Sequence, residues 1–114
     1  MPLPLSRTCM AETFADISAA STIYFSAPYT GYLESIQLTL FNAITTADSI
    51  VTVKVDNVTV GTALTVAFTA SAKGTTFRRE YQNIGVKLGS IIEVITDGAS
   101  STTAITPCTI TFRP

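Results

Sequence analysis

Apolar and polar residues alternate with a period of two through most of this chain, the signature of strands that bury one face. In SIVTVKV (49–55), Val51, Val53 and Val55 fall on one side and Thr52 and Lys54 on the other. Asp56-Asn57 follows, a pair suited to the positive φ values of a tight hairpin turn. TALTVAF (62–68) then places Leu64, Val66 and Phe68 together, so residues 49–68 read as a meander of short antiparallel strands. YLESIQLTLFN (32–42) sets Ile36, Leu38 and Leu40 on its core face, beyond Glu34; Leu33, Ser35, Gln37, Thr39 and Phe41 lie opposite, with Phe41 covered separately.

Further strands are expected at STIYFS (21–26), stopped by Pro28, and at SIIEVITDG (90–98), closed by the turn pair Asp97-Gly98. The last is TAITPCTITFR (103–113), where Pro107 suggests a bulge or an edge. Between Thr69 and Lys87 the alternation fades, and a long connection with a short strand around 76–81 is expected. AETFADISAAS (11–21) is ambiguous between a helical turn, from the spacing of Phe14 and Ile17, and an extended segment.

Seven or eight short strands with turn signals every eight to twelve residues predict an all-β fold, an antiparallel β-sandwich of jelly-roll-like form. The twenty threonines agree, since β-branched side chains suit a pleated surface better than a helix. At 114 residues one domain is expected, with 1–19 as an N-terminal arm or first edge strand and 20–114 as the sandwich.

Charged residues make up only 13% of the chain, about half the usual quarter, which suggests that part of the surface is covered by another molecule. With a net charge of −1 and no like-charge run beyond Arg78-Arg79, there is no basic stripe for nucleic acid. The N-terminus MPLPLSRTCMAETF does not read as a signal peptide, and no window is apolar enough for a membrane helix; a soluble protein made in the cytoplasm is expected.

Candidate chemistry is sparse. Histidine is absent, which removes the commonest general base and metal ligand, and the two cysteines lie near opposite ends. No glycine-rich phosphate loop or EF-hand spacing occurs, so neither cofactor nor metal is expected, and the chain reads as not an enzyme. A carboxylate pair drawn from Glu34, Glu93, Asp48, Asp56 and Asp97 is the remaining hydrolytic option, but those aspartates sit where turns want them. Tyr24, Tyr29 and Tyr32 cluster around Pro28, as a sugar platform or, more commonly, a packed loop or subunit contact. Asn57-Val58-Thr59 matches the glycosylation acceptor pattern, which matters only on secretion. Cys9 and Cys108 are expected as reduced small hydrophobes, a disulfide being open if the first and last strands pair.

Four elements together resemble the small β-sandwich decoration, or cement, proteins of tailed-bacteriophage heads. They are the proline-aromatic-glycine step Pro28 to Gly31, the AITTAD connection Ala43 to Asp48, the hairpin Val51 to Val60 and the late strand Gly89 to Gly98. The resemblance spans residues 20–112 and implies a virion protein on the outer surface of the capsid, binding the major capsid protein and reinforcing contacts between its subunits. It further implies a homo-oligomer, a trimer above others, with no catalysis. Leu3, Leu5 and Arg7 in the N-terminal arm, Pro28, Tyr29 and Tyr32, and Arg78, Arg79 and Tyr81 are the contact candidates. A receptor- or carbohydrate-binding module of a phage fibre or bacterial adhesin is the alternative reading.

Overall fold

The computed structural model describes residues 7–114. Eight strands run in chain order as β1 (Thr8–Phe14), β2 (Ser21–Ser26), β3 (Gly31–Thr39), β4 (Ser49–Val55), β5 (Val58–Val66), β6 (Thr76–Val86), β7 (Ile91–Thr96) and β8 (Thr106–Arg113). They form two four-stranded antiparallel sheets, in the orders β1-β8-β3-β6 and β2-β7-β4-β5. The pairs β1/β8, β2/β7, β3/β6 and β4/β5 are those of one long hairpin, rolled up so that successive pairs alternate between sheets. That is the jelly-roll arrangement.

The innermost hairpin follows its sequence. Val51, Val53 and Val55 are buried, and Asp56 and Asn57 take φ of 48° and 70°, the two positive values of a type I′ turn whose twist matches the strands it joins. Across the sandwich these valines meet Ile36, Leu38, Ile110 and Phe112 in one core, which also takes in Phe14 and Ile17. Ile36, Leu38 and Ile110 are wholly buried, and truncating any of them to Ala is expected to cost ~2–5 kcal/mol.

Several expectations change. Leu33 is buried although it precedes Ile36 by an odd number of residues, because Glu34 is an extra residue against β8: Leu33 faces Phe112 and Ser35 already faces Thr111. The bulge resets the alternation, and both Leu33 and Ile36 reach the core. β6 is the longest strand at eleven residues, where only a short one was expected. It too is bulged: Leu33 pairs with Ile84 and Ser35 with Glu80, leaving Tyr81, Gln82 and Asn83 opposite Glu34 alone, with Asn83 at φ 58°.

Phe41 is not covered: it is 48% exposed. Phe68 lies past the end of β5 on a single 3-10 turn, Phe68–Ala70, and not in the core. Residues 11–14 continue β1, and a tight turn at Ile17 and Ser18 follows in place of a helix. That turn is held by the Ile17 carbonyl, which accepts from Ser49 Oγ at 2.8 Å and Thr96 Oγ1 at 2.9 Å. Pro107 is neither at a bulge nor on an edge, since β8 lies between β1 and β3. It pairs with Thr13 of β1 just beyond the last β3 partner, Leu38 with Cys108, so its missing N–H removes no ladder bond on the β3 side.

Candidate interaction surfaces

Because all neighbouring strands are antiparallel, the β2–β3, β4–β5 and β6–β7 connections share one end of the sandwich with the start of β1 and the end of β8. Two clefts open there. The first, of about 400 Å³, lies over the β3 and β6 bulges and is lined by Arg7, Glu34, Glu80, Tyr81, Gln82, Asn83 and Arg113. Arg7 Nε donates to both Glu34 oxygens, at 2.9 and 2.7 Å. This hydrogen bond and the paired charge hold the Arg7 guanidinium further above its usual value. Arg7, one of the contact candidates, thus has a carboxylate partner supplied from within the chain.

The second cleft, of about 610 Å³, is lined among others by Gly31, Tyr32, Val86, Lys87, Ser90 and Pro114. The two clefts adjoin through Arg113, whose guanidinium carbon stands 4.4 Å from the centroid of the Tyr32 ring. Val58, Leu88 and Ile91 are large exposed apolar side chains at this end; Phe41, Phe68 and Ile105 are their counterparts at the other.

The tyrosines do not form one platform. Tyr32 lies on the outer face of one sheet and Tyr24, 61% exposed, on the outer face of the other. Tyr29 packs against the core and donates its hydroxyl to the Phe112 carbonyl at 2.9 Å, fixing the connection that contains Pro28 to the last strand.

The Arg78 to Tyr81 patch divides by strand alternation. Arg78 points outward, donating to Gln37 and pairing with Glu80 at 3.3 Å. Arg79 and Tyr81 turn toward β5: Arg79 Nη2 donates to the Ala63 carbonyl at 3.0 Å, and its buried Nε has no partner among the described residues. Tyr81 packs against the core, and burial pushes its phenol up to about 12 despite the nearby Arg79 charge. Leu3 and Leu5 lie outside the described residues.

Cys9 and Cys108 are both free. The first and last strands do pair, but Cys9 faces Thr111 on the outer side while Cys108 faces Glu12 and is buried on the inner side. Opposite faces and a three-residue offset in register rule out the disulfide. Burial pushes the Cys108 thiol up to about 12.

The acids cap backbone. Asp48 accepts from Phe68 N–H, Asp56 from Ile91 N–H, and Asp97 from the N–H groups of Ile50 and Ala99. Asp16, which the strand pattern did not single out, accepts from Ser18 N–H, Ser18 Oγ and Ala104 N–H through one oxygen. Desolvation pushes its carboxyl up, but these bonds outweigh it and hold the group below the usual carboxylate range. The D-x-S spacing of an Asx turn was its available signal. Among the described residues no group of three or more His, Cys, Asp or Glu is placed to hold a metal ion.

No protein-family model and no curated protein sequence matches the chain. Among solved structures the chain is similar to a chain of the acidic stable capsid structure of Helicobacter pylori bacteriophage KHP30, at 16% identity and a TM-score of 0.50, over 92% of this chain and 94% of that one. It is also similar to the catalytic unit of the thermostable GH87 α-1,3-glucanase from Streptomyces thermodiastaticus strain HF3-3, at 14% identity and a TM-score of 0.50. That likeness covers 96% of this chain but spans only 26% of the glucanase chain. At such identities what is shared is the fold, an eight-stranded jelly-roll sandwich.

Proposed function

We propose that this chain is a structural protein of a phage head, binding the outer surface of the shell and stabilising contacts between major capsid protein subunits. One observation carries the reading: the likeness to the KHP30 capsid chain runs over nearly the full length of both partners, 92% and 94%. The low charge content supports it, since a chain with 13% charged residues leaves much uncharged surface to bury. Repeated docking on a symmetric lattice adds avidity without any single strong contact, and a non-catalytic homo-oligomer suits that role. The termini end, with its two clefts and the apolar Val58, Leu88 and Ile91, is the surface offered to the shell.

The test is co-sedimentation of the purified protein with undecorated capsids. Saturable binding that raises the temperature of shell disruption is expected; no binding at saturating concentration rejects the proposal. The glucanase likeness favours a second reading, a carbohydrate-binding module carried by a larger protein. Because Tyr24 and Tyr32 lie on opposite outer faces, such a module has to bind sugar on one tyrosine face only, and a glycan array with no hits removes it.

A further inference from the structure

We propose that the free edge of β2 is the surface through which two copies of this chain pair, antiparallel and two-fold about Tyr24, joining their sheets into one of eight strands. The sandwich has four edge strands, β1 and β6 in one sheet and β2 and β5 in the other. Edge strands expose unpaired backbone groups, and folds blunt them with bulges, with charges on the core-side face or by shortening them. Three of the four are blunted here. β6 carries the bulge at Tyr81–Asn83, and β5 carries one of its own, where Val53 pairs with Val60 but Val51 with Leu64, with Gly61 at φ 64°. β1 places Glu12 on the core-side face, directly opposite the buried Cys108, so an added strand would have to cover a carboxylate.

β2 has neither a bulge nor a core-side charge, and although it is the shortest of the four edges, its length is an ordinary one for a strand. Its six residues, Ser21 to Ser26, pair with β7 in unbroken register and include no charge, glycine or proline. Among the described residues nothing pairs with its outer side. Side-chain character identifies the partner. Read from Tyr24 in either direction, the strand runs apolar then polar: Ile23 and Thr22 one way, Phe25 and Ser26 the other. Antiparallel pairing with a second copy centred on Tyr24 therefore sets Ile23 against Phe25, Thr22 against Ser26 and Tyr24 against Tyr24. Ile23 and Phe25 face the core side with Val94 and Ile92, and Tyr24 and Thr22 face out with Glu93 and Ile95, so each pair falls on one face of the joined sheet. Aromatic pairs and matched apolar pairs across antiparallel strands are the stabilising combinations. Such a contact is isologous and closes at two copies, whereas a three-fold assembly needs a different, heterologous surface. The proposal does not depend on binding to a shell.

Analytical ultracentrifugation of the full chain over a wide concentration range is the first test. A monomer–dimer equilibrium is expected, weakened about tenfold or more by Tyr24→Lys, which sets like charges opposite each other at the axis. Thr109→Lys, on the outer face of the other sheet, is expected to leave it unchanged. The second test reads register in a Cys9→Ser background, where Cys108 is buried. Tyr24→Cys is expected to give a disulfide-linked dimer on oxidation, since directly opposed residues have the Cα spacing a disulfide needs. Thr22→Cys alone is expected not to link, its copies being about 13 Å apart along the strand. Mixed with Ser26→Cys, it is expected to link. A monomer at every concentration, an assembly indifferent to Tyr24→Lys, or a Thr22→Cys chain that links to itself as readily as Tyr24→Cys overturns the proposal. If the Tyr24→Lys chain does not fold, the linking pattern alone decides.

Discussion

The ring of Tyr81 lies so close against Gly61 that a Cβ at residue 61 would stand 2.5 Å from its Cε1. Each residue belongs to a bulge in an edge strand, Gly61 in β5 and Tyr81 in β6, and the contact fastens the two sheets along that side. Arg79 reinforces it through its bond to the Ala63 carbonyl.

Gly61→Ala is accordingly expected to destabilise the fold by ~2–3 kcal/mol, combining a positive φ with a clash against a ring that is itself packed. Gly74 supplies the control, because it has φ +87° but nothing within 4 Å of an added Cβ. Gly74→Ala is expected to cost ~1 kcal/mol, the backbone contribution alone. Denaturant unfolding of both variants checks this; equal costs mean that the Tyr81 ring gives way freely.

Arg78 and Arg79, adjacent in sequence, are expected to behave differently. Arg78→Ala removes an exposed pair with Glu80 and is expected to change stability by no more than ~0.5 kcal/mol. Arg79→Ala removes the bond to Ala63 and the packing of the side-chain stem, and is expected to cost ~1–2 kcal/mol. Unfolding curves for the two single variants distinguish them.

Alkaline pH is expected to weaken the fold. Burial raises Cys108 from 9.0, and Tyr81 from 10.0, each to about 12. The folded state then holds protons that the unfolded state releases between those values, so stability is full below about pH 9 and falls as pH rises toward 12. Replacing Cys108 by Ala removes the earlier contribution and is expected to move the onset up toward pH 10, where only Tyr81 of the two still titrates. Urea midpoints of both proteins measured from pH 8 to 11.5 check the shift.

At the acid end the sign reverses for Asp16, whose folded carboxyl is held below its ordinary value of 3.8. Its contribution is present above pH 4 and is lost as pH falls through the lowered value. Asp16→Asn is expected to lower stability at pH 7 by ~1–2 kcal/mol and to flatten the acid limb, since hydrogen bonds to a charged acceptor become bonds to a neutral one. Unfolding free energies at pH 7 and pH 3 test both parts.

Alternation made β4 and its hairpin legible, because Ser49–Val55 is an inner strand with one face wholly against the core and a turn that demands particular residues. It failed at Leu33 and across β6 for one reason. A bulge shifts the phase of every residue beyond it, and no single residue type announces a bulge at Glu34 or at Gln82. The contact candidates suffered similarly. Arg78, Arg79 and Tyr81 read as one charged patch in sequence, yet alternate residues of a strand face opposite ways, and only the first of them faces solvent freely. The tyrosines near Pro28 were separated by the crossing from one sheet to the other, which depends on strand order and leaves no local trace.

The position of β8 bears on how the molecule is made. It lies in the middle of its sheet, hydrogen-bonded to β1 on one side and β3 on the other. During synthesis β1 emerges first and waits for a partner nearly a hundred residues downstream, so one sheet has a vacant row until Thr106 to Arg113 leave the ribosome. Deleting that strand removes no mere fringe: it strands β1 and opens the core along Ile110 and Phe112. The sheet that holds β8 is therefore expected to close late, and a ribosome-bound chain lacking β8 is expected to present unpaired edges to chaperones.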